Sequence, residues 1–398
     1  MVNDSGFSEN FSVAIVGLGL IGGSLAKRLA KLPNCNVYAW NRHHDPYAEA
    51  QKLGITCVEN VEDLAKLSPD VLILCNALAV MPKILNQIAP YVDRSHTTIS
   101  DVGSVKALVR KQVAEAGLSD CYVGAHPMAG SEFTGWKASS AELLDNALWA
   151  LTVDDSTDFW RVANILRMVV ELCKNRVIVL DDSTHDHAAS LISHMPHVVA
   201  TALANVLSNQ KDYAIALQLS AGSWRDMTRV ALTDPERTRA MVSENRQNTA
   251  VLLRSLINQL ECAANMLEHN AEDENDNEEA FFAHAQAWRE YKYQQRNANN
   301  NGVKQSGTAE QSGTAEQSDT AKSSDIANAN NRLWKCDSRS NWKKDLLESA
   351  RSGESIVEII GLNNNNLQSL LSDSVYSDSA ESLQLRLKVD KALREIKY

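Results

Sequence analysis

Ser12-Val13-Ala14-Ile15-Val16-Gly17-Leu18-Gly19-Leu20-Ile21-Gly22-Gly23-Ser24-Leu25-Ala26 reads as strand, turn and helix in direct succession. Val13 to Val16 are apolar and mostly β-branched, the composition of a strand buried on both faces. The glycines follow at once, and Ile21, Leu25 and Leu29 then recur at helical spacing. A G-x-G-x-x-G match carries weight only in that context. Gly17 permits the tight turn, Gly19 lets backbone approach a pyrophosphate, and Gly22 lets helix and strand pack closely. The helix start offers free N–H groups and a positive dipole end to the phosphates. The expected dinucleotide contacts are therefore Gly17, Gly19, Leu20, Ile21 and Gly22. The competing reading is a glycine-rich turn that binds nothing.

Working outward, 398 residues leave room for two domains and an appendage. A net charge of -11 without a Lys/Arg cluster disfavours a nucleic-acid partner. The seven cysteines are scattered and never form C-x-x-C, which argues against a disulfide framework or a zinc site. Met1 to Asn10 lack the basic and apolar regions of a secretory signal. No uninterrupted apolar run reaches membrane-spanning length. These features predict a cytoplasmic chain with no membrane contact.

A second strand is expected over Asn36–Trp40, ending at Asn41-Arg42-His43-His44. NAD-selective enzymes usually place an acid here for the ribose 2′-OH. Asn41 can still bond a hydroxyl, and Arg42 suits a 2′-phosphate or is a solvated loop charge. Further strands, read as parallel, are expected at 71–75, 97–100, 122–125, 149–153 and 177–180, with helices between them. The pattern predicts a doubly wound Rossmann-type sheet whose ligands lie at the strands' carboxyl ends. Two such ends are polar: Ser100-Asp101-Val102-Gly103-Ser104-Val105-Lys106 and His126-Pro127-Met128-Ala129-Gly130-Ser131-Glu132. An imidazole at a strand end beside a cofactor is a candidate general base, against the alternative of a loop-capping histidine.

From Ser183 strand signals vanish and helical runs continue to about His269. His187, His194 and His197 raise a metal cluster, but H-E-x-x-H is absent and no cysteine lies near, so no metal is expected. Pro196 should kink its helix. Ala221 to Val230 carries Arg225 and Arg229, suited to carboxylates unless they form a surface salt-bridge helix. A single long amphipathic helix is expected from Asp234 to Leu267, packing in a core or a dimer. Gln305 to Lys322 is three tandem polar hexapeptides, which cannot bury enough surface to fold. The expected layout is a dinucleotide-binding domain at 11–182, a helical domain at 183–296, a disordered linker at 297–332, and a short tail of unknown role at 333–398.

Gly17 to Ala26, Asp101 to Lys106, His126 to Glu132, His185-Asp186, Ser193 to His197 and Asp226 to Arg229 together resemble the prephenate/arogenate dehydrogenase family of tyrosine biosynthesis. The resemblance runs in unbroken order over about residues 11 to 295 and stops at the linker. It implies a Rossmann domain joined to an all-helical domain through which two chains dimerise. It also implies NAD(P)-dependent oxidative decarboxylation of prephenate or arogenate. In the implied roles His126 accepts the proton of the ring C4 hydroxyl while hydride leaves C4, and Ser104 bonds and orients His126. His197 and Arg229 bind substrate, Arg229 taking a carboxylate, and Glu132 helps gate the pocket. Asn41-Arg42 departs from NAD-selective members and favours NADP over NAD. Trp224-Arg225 adds charge beside Arg229, so Arg225 is a candidate partner in the clamp. A 3-hydroxyacid dehydrogenase shares the two-domain plan but would need a lysine base in the helical half. A nucleotide-sensing regulator would have no use for Ser104, His126, His197 and Arg229 together.

Overall fold

The computed structural model describes residues 10–131, 133–268, 275–293, 331–337, 340–363 and 382–389. Glu132 and nearly all of the 297–332 segment lie outside them.

β1 (Phe11–Val16) runs straight into the glycine turn and α1 (Leu20–Leu29). β2 (Cys35–Trp40), α2 (Tyr47–Lys52), β3 (Thr56–Cys57), α3 (Val61–Lys66), β4 (Val71–Leu74), α4 (Met81–Ile88), β5 (Thr98–Asp101) and α5 (Ala107–Glu115) follow. The five strands form one parallel sheet in the order β3-β2-β1-β4-β5. Alternation along the central strands splits two cores. Val13, Ile15, Val71 and Ile73 join Leu25 and Leu29 of α1 on one face. Ala14, Val16, Leu72 and Leu74 join α3, α4 and α5 on the other. Both faces are buried, as continuous apolar strands require.

β6 (Gly124–Pro127) opens a second, six-stranded sheet, and just ahead of it a parallel Ile99–Tyr122 bridge and a Val123 N–H to Ile99 O bond of 3.0 Å join it to the first. Here the strand directions expected from the sequence change. β7 (Leu148–Thr152) pairs antiparallel to β6, and β8 (Arg176–Leu180) pairs parallel to β7. α6 (Phe159–Leu166) connects them, and its helical run continues as a π-helical stretch to Leu172. Strand composition reports burial but not direction.

The tail is part of this second sheet. β9 (Asn331–Asp337), α14 (Trp342–Arg351), β10 (Glu354–Asn363) and β11 (Ser382–Val389) continue the order as β8-β10-β11-β9, all antiparallel neighbours. Cys336, Trp342, Leu346, Ile356, Leu383, Leu385 and Leu387 enter the same buried cluster as α1 and α6. The linker expected to end at 332 thus gives way to strand by Asn331.

The helical half holds α7 (Asp182–Ala189), α8 (Met195–Ser208), α9 (Tyr213–Leu219), α10 (Gly222–Thr228), α11 (Pro235–Glu244), α12 (Arg246–Glu268) and α13 (Asn275–Ala283). Between α7 and α8 the run turns π-helical over Ser190–His194, ahead of Pro196 in the first turn of α8. Pro196 has no N–H to give the preceding turn, and a wider turn there accommodates the loss. By length and composition the whole run Asp182–Ser208 is apolar enough to cross a membrane, with mean hydropathy 1.2. It also carries Asp186, His185, His187, His194 and His197, and it lines the cleft described next. The helix expected from Asp234 to Leu267 is two helices, broken at Asn245 (φ -124°, ψ 34°).

Candidate active site

At the cofactor end, the turn has the shape its glycines imply. Gly17 has φ +103°, and a Cβ there would meet the Cys75 carbonyl oxygen at 3.0 Å. A Cβ on Gly22 would lie 2.0 Å from the Gly17 carbonyl oxygen, so both positions exclude a side chain. A Cβ on Gly19 would face open space. Gly19 also caps α1 without a side chain, and no acid occupies the first turn. That leaves an open, electropositive cradle over Leu20 and Ile21, as a pyrophosphate needs. Beside it Asn76 follows the end of β4, and its buried Oδ1 has no hydrogen-bond partner among the described residues. The chain's residues therefore fit a dinucleotide.

Asn41 does more for the scaffold than a free ribose contact would. Its Oδ1 accepts the Leu18 N–H at 2.9 Å and its Nδ2 donates to His43 O at 2.6 Å, locking the glycine turn to the end of β2. Arg42 and His43 stand exposed on the rim, with Arg42 Nε donating to His43 Nε2 at 3.0 Å. His44 stacks on Tyr47 with 4.4 Å between ring centroids.

A cleft of about 460 Å³ opens between the carboxyl ends of β5 and β6 and the helical half. It gathers Ser104, His126, His197 and Arg229, residues up to 125 positions apart, with Ser131, His194, Thr233, Arg237 and Thr238. Arg225 is not in the lining; its side chain is 77% exposed and pairs with Asp226 at 3.3 Å. Arg229 has no hydrogen-bond or ion-pair partner among the described residues. Arg237, which sequence reading passed over, donates to Ser131 O at 3.0 Å from the first turn of α11. His187 is exposed, and among the described residues no His/Cys/Asp/Glu group is placed to hold a metal ion.

His126 is half-buried at the end of β6. Its Nδ1 lies 2.9 Å from His185 Nε2, and His185 Nδ1 lies 2.8 Å from Asp186 Oδ1. Among the described residues the only hydrogen bond at its ring is thus to His185, and the Ser104 bond expected from the family resemblance is not made. Burial, then the Lys106 cation, hold the His126 pKa well below the usual imidazole range. Lys106 is itself fully buried, pairing with Asp101 and donating to Ala125 O at 2.6 Å. Asp101 in turn accepts the Tyr122 hydroxyl at 2.8 Å and the Gly103 N–H at 2.7 Å, so one ion pair ties the two strand ends together.

The other two cleft histidines have fixed orientations. His197 Nδ1 donates to Ser193 O at 2.9 Å, which turns its Nε2 lone pair away from the helix. Asn245 Nδ2 donates to Asp186 O at 2.7 Å and to His194 Nδ1 at 3.1 Å, while its Oδ1 accepts from Asn248. His194 is therefore a neutral ring with its proton on Nε2, and burial pushes its pKa down to about 4.

Among the described residues the arrangement offers the imidazoles of His126, His194 and His197, the unpaired guanidinium of Arg229 and a dinucleotide cradle. Comparisons with known proteins bear on the family. Residues 25–179 match the family model described as prephenate dehydrogenase, nucleotide-binding domain, and residues 181–285 match its dimerization domain. The chain is 32% identical over 238 residues to cyclohexadienyl dehydrogenase of Zymomonas mobilis, covering 58% of this chain and 80% of that protein. It is 31% identical to prephenate dehydrogenase of Lactococcus lactis, over 56% of this chain and 61% of that one. Its fold superposes on the crystal structure of prephenate dehydrogenase from A. aeolicus in complex with hydroxyphenyl propionate and NAD+. That match has a TM-score of 0.63 and 26% identity, and it covers 70% of this chain and 97% of the other. Both halves of the cleft, its fold and its sequence thus converge, and this chain belongs to the prephenate/arogenate dehydrogenase family.

Proposed function

We propose that the chain catalyses NAD(P)-dependent oxidative decarboxylation of prephenate to 4-hydroxyphenylpyruvate. The observation that carries the choice of substrate is the charge of the cleft: Arg229 and Arg237 line it, and no described lining residue is acidic. Prephenate and arogenate both carry two carboxylates, which arginine forks suit, but prephenate has a keto side chain and brings no cation with them. Arogenate, which would give tyrosine directly, adds an ammonium group, and no described lining residue offers it an anion.

A bound nicotinamide supplies the hydride acceptor. His126 Nε2 takes the C4 hydroxyl proton as the C4–H bond breaks and its electron pair leaves as hydride. The resulting ketone lies para to the ring carboxylate, so the C1–carboxylate bond breaks, CO₂ departs, and the electron pair makes the ring aromatic. The proton on His126 returns to the phenolate oxygen, and the step is balanced without another base. Arg229 holds a carboxylate, His197 accepts from the substrate, and Ser104, in the same cleft lining as His126, serves the C4 oxygen.

Several further assignments belong to this reading. NADP is accepted and preferred, with Arg42 as its phosphate partner. The domain boundary lies near Ser183. Two chains pair through the helical half, a pairing supported by the exposed Val206, Ile215, Leu217, Leu219 and Val251. Assaying purified protein with both substrates and both cofactors tests the proposal. Cofactor reduction with prephenate above that with arogenate is expected, and folded protein that reduces neither cofactor with either substrate overturns it.

A further inference from the structure

We infer that His185 and Asp186 form a positioning pair that fixes the tautomer of His126 and thereby makes it a base. The inference rests on the reading of His126 as the proton acceptor, and it concerns residues that touch neither substrate nor cofactor.

The argument starts at the far end of the chain of bonds. Asp186 is anchored by backbone: its Oδ1 accepts the Lys106 N–H at 2.7 Å and its Oδ2 accepts the Ala107 N–H at 3.0 Å. Those two N–H groups open α5, so the carboxylate of a helical-half residue sits on a helix start of the dinucleotide half. A carboxylate so placed can only accept, so the 2.8 Å contact requires a proton on His185 Nδ1. A neutral His185 then presents a lone pair at Nε2. The 2.9 Å contact between His185 Nε2 and His126 Nδ1 is filled by a proton on His126 Nδ1. His126 Nε2 is left with its lone pair, which is the state a proton acceptor needs.

The opposite filling would put a second proton on His185 and turn His126 Nε2 into a donor. It would add a cation inside a site where His185 is 2% exposed and Lys106 is already positive and fully buried. The groups facing His126 are Lys106 with its Asp101, His185 with Asp186, and His194. His194 is kept neutral, so Asp186 is the anion that balances His126 when it gains a proton. The relay also crosses between the halves of the chain. Asn245 holds it from behind by donating to the Asp186 carbonyl oxygen, at the cost of breaking the helix between α11 and α12.

Two substitutions separate the roles of the two His185 nitrogens. His185→Gln places an amide oxygen near the former Nε2 and keeps an acceptor for His126. His185→Leu keeps bulk and removes it. In 15N-histidine NMR of the whole protein, with His126→Asn assigning the signal, wild-type His126 should carry its proton on Nδ1. In His185→Leu it should shift to the Nε2–H form, which free imidazole favours. With prephenate, kcat of His185→Leu should fall by roughly 10-fold or more, since loss of a tautomer-fixing partner costs up to about 10⁴ in hydrolytic triads. KM should stay within a few-fold, the acid limb of the kcat profile should move to lower pH, and His185→Gln should recover part of the loss. Wild-type His126 found with its proton on Nε2, or His185→Leu turning over like wild type, overturns the inference. The NMR result stands whether or not prephenate is the substrate, so failure of the relay and failure of the proposed reaction are read separately.

Discussion

Trp342 of α14 packs edge-on against Phe159 of α6, with ring centroids 5.4 Å apart and planes at 78°. The contact joins a segment beyond the repeat-rich stretch to the wall of the dinucleotide domain. Both rings are buried, at 5% exposure each. Lys343 adds a bond to Asp155 O at 2.8 Å, and Ile356 of β10 pairs with Val177 of β8. The C-terminal strands therefore cover what would otherwise be an open sheet edge, the usual template for unwanted pairing.

Truncation at residue 297 should accordingly lower stability and solubility as well as shorten the chain. Trp342→Ala alone should cost about 3–5 kcal/mol, the range for removing a large buried aromatic. Chemical denaturation of the full chain and the variant measures this. An unchanged midpoint would mean that the tail merely rests on the domain.

His126→Asn should lower kcat by ~10²–10⁴-fold, the usual contribution of a general base. Because burial holds the His126 pKa below the ordinary imidazole value, wild-type activity should not decline as pH falls through about 6.5, the unperturbed value. The decline should begin at lower pH, and a kcat/KM profile locates it.

His194 links pH to stability. Its folded pKa is about 4 against 6.5 for the free group. In that interval the unfolded chain binds the proton more readily, so stability rises with pH. The contribution is fully present above about pH 6.5, is lost as pH falls toward 4, and is constant below that. His194→Gln should flatten the dependence of the unfolding midpoint between those limits, and an unaltered slope would assign it to other groups.

Arg229→Ala should raise the substrate KM strongly, since removing one partner of a desolvated charge pair costs roughly 2–5 kcal/mol. Cofactor affinity should hardly change. Arg225→Ala should do little, because that side chain points into solvent beside Asp226. Arg237→Ala should weaken prephenate, which carries two uncompensated carboxylates, more than arogenate, whose ammonium group offsets one of them. Steady-state kinetics of the three variants ranks them, and a larger effect at Arg225 would move the clamp.

Local patterns made much of this legible from sequence. Strand, glycine turn and helix follow one another within fifteen residues, and the polar strand ends after Ile99 and Ala125 name Ser104 and His126 directly. Contacts over long separations were not legible. His126 meets His185 only because α7 docks on the end of β6, 59 residues away. Asn245 sits in an apolar periodicity that reads as uninterrupted helix, and only its bonds to Asp186 and His194 explain the break. The tail strands alternate apolar and polar residues too briefly, between polar repeats, to announce that Leu383, Leu385 and Leu387 face a core formed by distant helices.

Cofactor choice turns on the rim at the end of β2. An acid at that position would bond the ribose 2′-OH and repel a 2′-phosphate. Asn41 removes the repulsion, and its amide is committed to Leu18 and His43, which holds the 41–43 loop in place. Arg42 is thereby presented on the surface, and among the described residues its side chain has only a ring nitrogen of His43 as partner, at 3.0 Å. A phosphate is a far stronger acceptor for a guanidinium than an imidazole nitrogen is. NADP should therefore be preferred over NAD by kcat/KM. Arg42→Ala should weaken NADP by about 1–3 kcal/mol, the range for losing a hydrogen bond to a charged group, and leave NAD nearly unaffected. His43→Ala should leave the preference standing, since the cation remains. Binding of both cofactors to the wild type and the two variants decides the matter: a wild type that prefers NAD, or an Arg42→Ala loss shared equally by both cofactors, would make Arg42 an ordinary surface charge.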